Sequence, residues 1–184
     1  WTQGGGAGDS EPVLSWVARD DIEGVKSTLT PHLMDSFDKA IDLMYKARNI
    51  GVFGMRSSKY VAGFLYFMLN QLFSNVHTLA SGGEDTLFDE LLNYGKDDLI
   101  IAVSLGGPHF VIRTHDIVAY AKENNIPTIL ITNDLGNQAI DNATVPLCVG
   151  RTRYHYSIVP PLALAEALVV ELGLRKQHTA KRKL

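Results

Sequence analysis

Hydroxyls, bare backbone amides and a guanidinium gather at two points of this chain. Gly54, Arg56, Ser57 and Ser58 share one short stretch, and Ser104, Gly106, Gly107 and His109 share another. Serine hydroxyls and glycine-exposed amides donate hydrogen bonds at close range, and a neighbouring Arg or His adds positive charge. Both stretches therefore have the chemistry of anion capture. A guanidinium makes a two-pronged contact to phosphate or carboxylate, so Arg56 suits a phosphate ester or a sugar acid. Two plainer roles stay open: Arg56 paired with a nearby carboxylate, and His109 merely opening a helix.

Each stretch follows an apolar run, Ile50–Phe53 in one case and Leu99–Val103 in the other, and each precedes a helical pattern. A strand that turns into a helix this way leaves amide N–H groups at the helix start, where the dipole also favours negative charge. The remaining elements must bring the two turns together. Thr30 before Pro31 opens a helix with Leu33, Phe37, Ile41 and Met44 on one stripe, running to about Arg48. A nearly all-apolar helix is expected from about Ser57 to Phe73, a short strand over Val76–Leu79, and a helix near Glu84–Asn93 ending at Gly95. Further on come a helix to about Asn124, a strand over Thr128–Thr132, a helical turn near Asn137–Ile140, a strand over Val145–Val149 and a helix from about Pro160 to Leu174.

Strands alternating with helices predict an α/β fold, a three-layer, doubly wound, five-stranded parallel sheet of flavodoxin-like type. Right-handed crossovers favour the order 2-1-3-4-5. The reversal then falls between the first and third strands, whose exits are the two candidate stretches. Pattern and topology thus point to one cleft.

Other chemistries are poorly supported. The six histidines (His32, His77, His109, His115, His155, His178) show no ligand spacing with carboxylates or with Cys148, so no metal site or cofactor is expected. No Walker-type lysine follows either glycine turn, and Ser104 is not set in a nucleophile elbow. Glu166 lies in an apolar helix, where an exposed position is commoner than a catalytic base. No catalytic residue is assigned. The segment Arg151-Thr152-Arg153-Tyr154-His155-Tyr156 follows the fifth strand and precedes the last helix, so it sits at the carboxyl end of the sheet, placed to rim the pocket.

The chain has 184 residues, 46% apolar and 20% charged, enough for one substantial core. Its net charge of −3 hides a basic end (Arg175, Lys176, Lys181, Arg182, Lys183) on an acidic body, which argues against direct nucleic-acid binding. The single cysteine, Cys148, has no internal partner and sits in an apolar run as a structural thiol. No apolar stretch reaches membrane-spanning length and no secretory leader is evident, so a cytoplasmic protein without membrane contact is expected. The start at Trp1 and the glycine-rich residues 4–8 suggest a piece of something longer. Residues 1–29 are read as an N-terminal linker or appended segment, 30–175 as the domain and 176–184 as a basic tail.

The turn Gly54-Met55-Arg56-Ser57-Ser58, the strand from Asp98 to Ser104 with its glycine-rich exit, and the Ile131-Thr132-Asn133 strand end resemble the sugar isomerase (SIS) domain, as does their spacing between Thr30 and Leu174. The version most similar is the C-terminal effector domain of RpiR-type transcription regulators. The resemblance implies binding of a phosphorylated sugar or related anionic small molecule, a homodimer or homotetramer, and DNA contact only through an N-terminal helix-turn-helix domain absent from this chain. It also implies that Ser57, Ser58 and Ser104 hold the phosphate, and it offers for residues 151–156 a contact with a second subunit as the alternative to a ligand contact. Beyond Ser104 the chain departs from the common Ser-x-Ser-Gly-x-Thr pattern, with Gly106 and His109 in place of the second serine and the threonine, while Gly107 fits. A non-catalytic sensor domain is the leading reading. A sugar-phosphate isomerase and a non-binding dimerisation domain are the alternatives.

Overall fold

The structure, a computed structural model, describes residues 11–80, 83, 86–106 and 112–181, with side chains to Gln177. Helices α1 (Val13–Thr28) and α2 (Pro31–Lys46) precede strand β1 (Ile50–Gly54). Then follow α3 (Ser58–Asn70), β2 (Val76–Thr78), α4 (Leu87–Leu91), β3 (Leu99–Ser104), α5 (Ile112–Glu123) and β4 (Thr128–Thr132). A 3-10 turn at Gln138–Asn142, β5 (Val145–Cys148) and the long α6 (Val159–Lys181) complete the chain.

The five strands are all parallel and lie in the order β2-β1-β3-β4-β5, as the alternation predicts. Alternate strand residues feed two cores. Ile50, Val52, Leu99, Ile101, Val103, Ile129, Ile131 and Leu147 pack with α2, α3 and α6 on one face. Phe53 and Ile100 pack with α4 and α5 on the other, and Ala102 and Leu130 meet α5 and the 3-10 turn. Burying each such aliphatic side chain contributes roughly 1.5–3 kcal/mol, which is why β3 and β4 carry no polar alternation until their ends.

Local signals set the helix boundaries. Thr30 caps α2 by accepting the Leu33 amide at 3.1 Å, with Pro31 in the first turn, as expected from that pair. Two segments differ from the sequence reading. Residues 13–28, read as linker, form α1, which packs on α6 and on the segment after β5. Residues 176–181, read as the start of the basic tail, continue α6 instead, and Lys176 donates to the Leu72 carbonyl just past the end of α3.

At the opposite end of the sheet from the strand exits, Asp98 is buried between β1 and β3. It accepts from Arg48 at 3.0 and 2.6 Å, from Asn49 at 2.9 Å and from the Gly95 amide at 2.8 Å. The Arg48 guanidinium holds this carboxyl down at about 2, against the desolvation that opposes it.

Candidate functional site

In the register of the sheet Gly54 lies beside Val103, and Ser104 beside Thr132, so β1, β3 and β4 end at one level. From there the chain leaves β1 towards α3 on one face and β3 towards α5 on the other. In an open parallel sheet, such a divergence is where a ligand crevice forms, outside the carboxyl ends of the strands.

The turn after β1 is tight for a reason visible in Gly54. A Cβ there would stand 2.6 Å from the Ser58 carbonyl oxygen and 2.9 Å from Ala62 Cβ, so only glycine lets the first turn of α3 come this close. Arg56 adopts a left-handed conformation (φ 52°) and is exposed, and its side chain makes no hydrogen bond or ion pair with any described residue. The curl consumes amides that the strand-to-helix pattern predicts to be open. The N–H groups of Ser58, Lys59 and Tyr60 donate to the carbonyls of Met55, Arg56 and Ser57.

The second turn uses its amides internally as well. The Leu105 N–H donates to Ser58 Oγ at 2.9 Å, bridging the two loops, and the Gly106 N–H donates to Asn133 Oδ1 at 3.0 Å. Ser104 Oγ accepts from Asn137 Nδ2 at 3.1 Å, and the same amide reaches Thr132 Oγ1 at 3.1 Å. Ser57 does not cap α3. Its Oγ accepts the Tyr156 hydroxyl at 2.7 Å, which brings the segment after β5 to the first loop.

A consistent polarity results. Ser57, Ser58 and Ser104 each have an oxygen lone pair filled by a protein donor, and the O–H proton of each has no acceptor among the described residues. Three hydroxyls biased to donate, with the exposed Arg56 next to Ser57 in the chain and its side chain without a described partner, suit a ligand that only accepts hydrogen bonds: an ionised phosphate or carboxylate. Gly107 and His109 lie outside the described residues. The structure thus brings Gly54, Arg56, Ser57, Ser58, Ser104 and Gly106 to one rim, with hydroxyls taking the donor role assigned to amides.

Further residues outside the two candidate stretches bear on the rim. Asn137 and Asn133, 2% and 9% exposed, hold Ser104 and Gly106 from β4's side. Arg151 lies 3.7 Å from Asp134 at the same rim. Asp20, on α1, accepts the amides of Arg153 and Tyr154 and the Nδ1 proton of His155, each at 3.0 Å. Burial pushes the Asp20 carboxyl up, but those hydrogen bonds outweigh it and leave it below the usual carboxylate range. The approach of His155 Nε2 to Asp21 Oδ1, at 3.2 Å, is not aligned as a hydrogen bond and leaves that buried oxygen unbonded. Burial raises the Cys148 thiol, in keeping with an inert structural role. Among the described residues no three His, Cys, Asp or Glu side chains converge as a metal would require.

The SIS domain model matches residues 43–171, the span that holds the whole sheet and both loops. The chain belongs to the SIS domain family. Among solved structures, this SIS domain is similar to the sugar isomerase domain of the RpiR transcription factor from Sphaerobacter thermophilus, at 28% identity and TM-score 0.81. That match covers 94% of this chain and 96% of the other. The NanR protein of Vibrio vulnificus, complexed with ManNAc-6P, shares 19% identity at TM-score 0.76 over 94% of this chain and 69% of its own. A hypothetical protein of Methanococcus jannaschii, whose structure infers 3-hexulose-6-phosphate isomerase function, shares 24% at TM-score 0.67, covering 89% and 90%. No curated protein matches the chain. No helix among the described residues is long and apolar enough to cross a membrane.

Proposed function

We propose that this SIS domain is the ligand-sensing effector domain of an RpiR-type transcription regulator of the cytoplasm. It takes a phosphorylated sugar, or a sugar acid, in the crevice between the loops after β1 and β3. The observation that carries this reading is the polarity of Ser57, Ser58 and Ser104, all three poised to donate to one anion. Arg56 closes on the anion from solvent. Gly106, Gly107 and His109 are further ligand contacts in this reading, and Gly54 holds the first loop's shape. The full-length match to an RpiR sugar isomerase domain supports a sensor, and the ManNAc-6P complex of NanR supports a phosphosugar class.

DNA contact belongs to a helix-turn-helix domain outside this chain. A second copy covers the apolar residues left open on the paired helices α3 and α6: Tyr60 and Phe67, two turns apart, and Val170 and Leu174, one turn apart. The isomerase-like neighbour supports a second reading, a sugar-phosphate isomerase.

A panel of hexose phosphates, amino-sugar phosphates and sugar acids separates the readings by thermal shift and turnover. A ligand at 100 times its Kd adds about 2.7 kcal/mol. A shift without turnover is expected; turnover establishes the isomerase, and silence to every anion leaves only a dimerisation domain.

A further inference from the structure

We propose that Asp20 is a positioning residue for the anion site. By holding the segment after β5 it sets Tyr156 against Ser57, so the docking of α1 and the order of the loop after β1 support one another. The inference rests on the crevice being the ligand site, and it names how that site reaches the helix that precedes the sheet.

The contacts form an unbroken series. Asp20 is 6% exposed, and both carboxylate oxygens are filled from one short segment: Oδ1 by the Arg153 amide, Oδ2 by the Tyr154 amide and His155 Nδ1. Trp16, one helical turn earlier, meets the His155 ring edge-on at 5.8 Å. Thr28, two turns later, accepts the Gly150 amide at 2.9 Å. The segment from 150 to 155 is thus fastened to α1 at both ends, and the next residue, Tyr156, delivers its hydroxyl to Ser57.

The carboxylate is specific for the task. Two converging amides and an imidazole N–H need acceptors only, and an ionised carboxylate offers nothing else. An asparagine turns an NH2 towards one of those donors and leaves it buried without a partner. Ordering α1 therefore favours a seated Tyr156 and a donating Ser57, and by linkage an anion on Ser57 favours a docked α1.

Amide exchange on the full chain, without ligand, tests this. Asp20→Asn is expected to speed exchange several-fold at both 151–156 and 54–58. Tyr156→Phe, which leaves α1 seated and removes one hydroxyl, is expected to speed 54–58 alone. The double variant is expected to exchange at 54–58 no faster than Tyr156→Phe, since both act through one contact. Wild-type exchange at 54–58 in Tyr156→Phe overturns the proposal, as do multiplying effects in the double variant; the former holds even if Asp20→Asn fails to fold. A titration with inorganic phosphate then separates the two levels. Weaker binding in both single variants supports the coupling to the site, whereas a wild-type protein that ignores all phosphate compounds refutes the sensor reading and leaves the exchange result to decide this one.

Discussion

The Leu105 amide donates to the Ser58 hydroxyl across the point where the sheet's connections reverse, so one side chain both bridges the two loops and presents a proton to the crevice. Ser58→Ala is expected to lose both. The stranded Leu105 N–H costs about 1–3 kcal/mol, visible in chemical denaturation, and affinity for phosphosugars falls. A variant with unchanged stability and unchanged affinity would move the site elsewhere.

Arg56 should separate stability from binding. A non-glycine residue at φ 52° is strained, and the side chain has no described partner to offset the strain. Arg56→Gly is expected to raise the denaturation midpoint by an amount worth about 0.5–1 kcal/mol while weakening anion binding. A loss of both would place Arg56 in a structural ion pair.

Asp98 predicts an acid-sensitive contribution. Its ordinary value of 3.8 falls to about 2 when Arg48 pairs with it in the folded chain. Because the folded value is the lower one, the contribution is complete above 3.8, declines as pH falls from there and is gone below about 2. It amounts to about 2 kcal/mol at most, since solvent screens the exposed Arg48. Asp98→Asn is expected to destabilise at neutral pH and to flatten the pH dependence in that window, read by urea denaturation across it.

Gly150 predicts how firmly α1 is seated. A Cβ there would collide with Ser27 Oγ and the Gly24 carbonyl. Gly150→Ala is expected to cost about 3 kcal/mol and to open residues 13–28 to limited proteolysis. Gly63→Ala is the control, because nothing lies within 4 Å of its added methyl. It should stabilise α3 by about 0.5–1 kcal/mol and leave α1 protected.

Much of this architecture was legible in residue order. Short uninterrupted apolar runs such as Leu99–Val103 between helical patterns match strands covered on both faces, and Thr30 with Pro31 is a favourable helix start. Alternation and crossover handedness then fixed the strand order, and with it the meeting of Gly54–Ser58 with Ser104–Gly106. The segment 13–28 was harder. Its buried positions, Asp20, Gly24 and Thr28, are small or polar, so the four-residue spacing carries no apolar stripe.

The amino-acid sequence by itself determined that Gly54–Ser58 and Ser104–Gly106 stand at strand exits, because hydropathy period and glycine placement are local properties of the chain. Tertiary structure alone decided what those groups do. Whether a serine donates or accepts depends on what approaches its oxygen, and the approaching groups are remote in sequence: Leu105 for Ser58, Asn137 for Ser104 and Tyr156 for Ser57. The same holds for Asp20, whose role arises from amides 133 to 134 residues further along the chain. Hydrogen bonding acts over about 3 Å of space, and only the folded chain brings such distant residues within that reach.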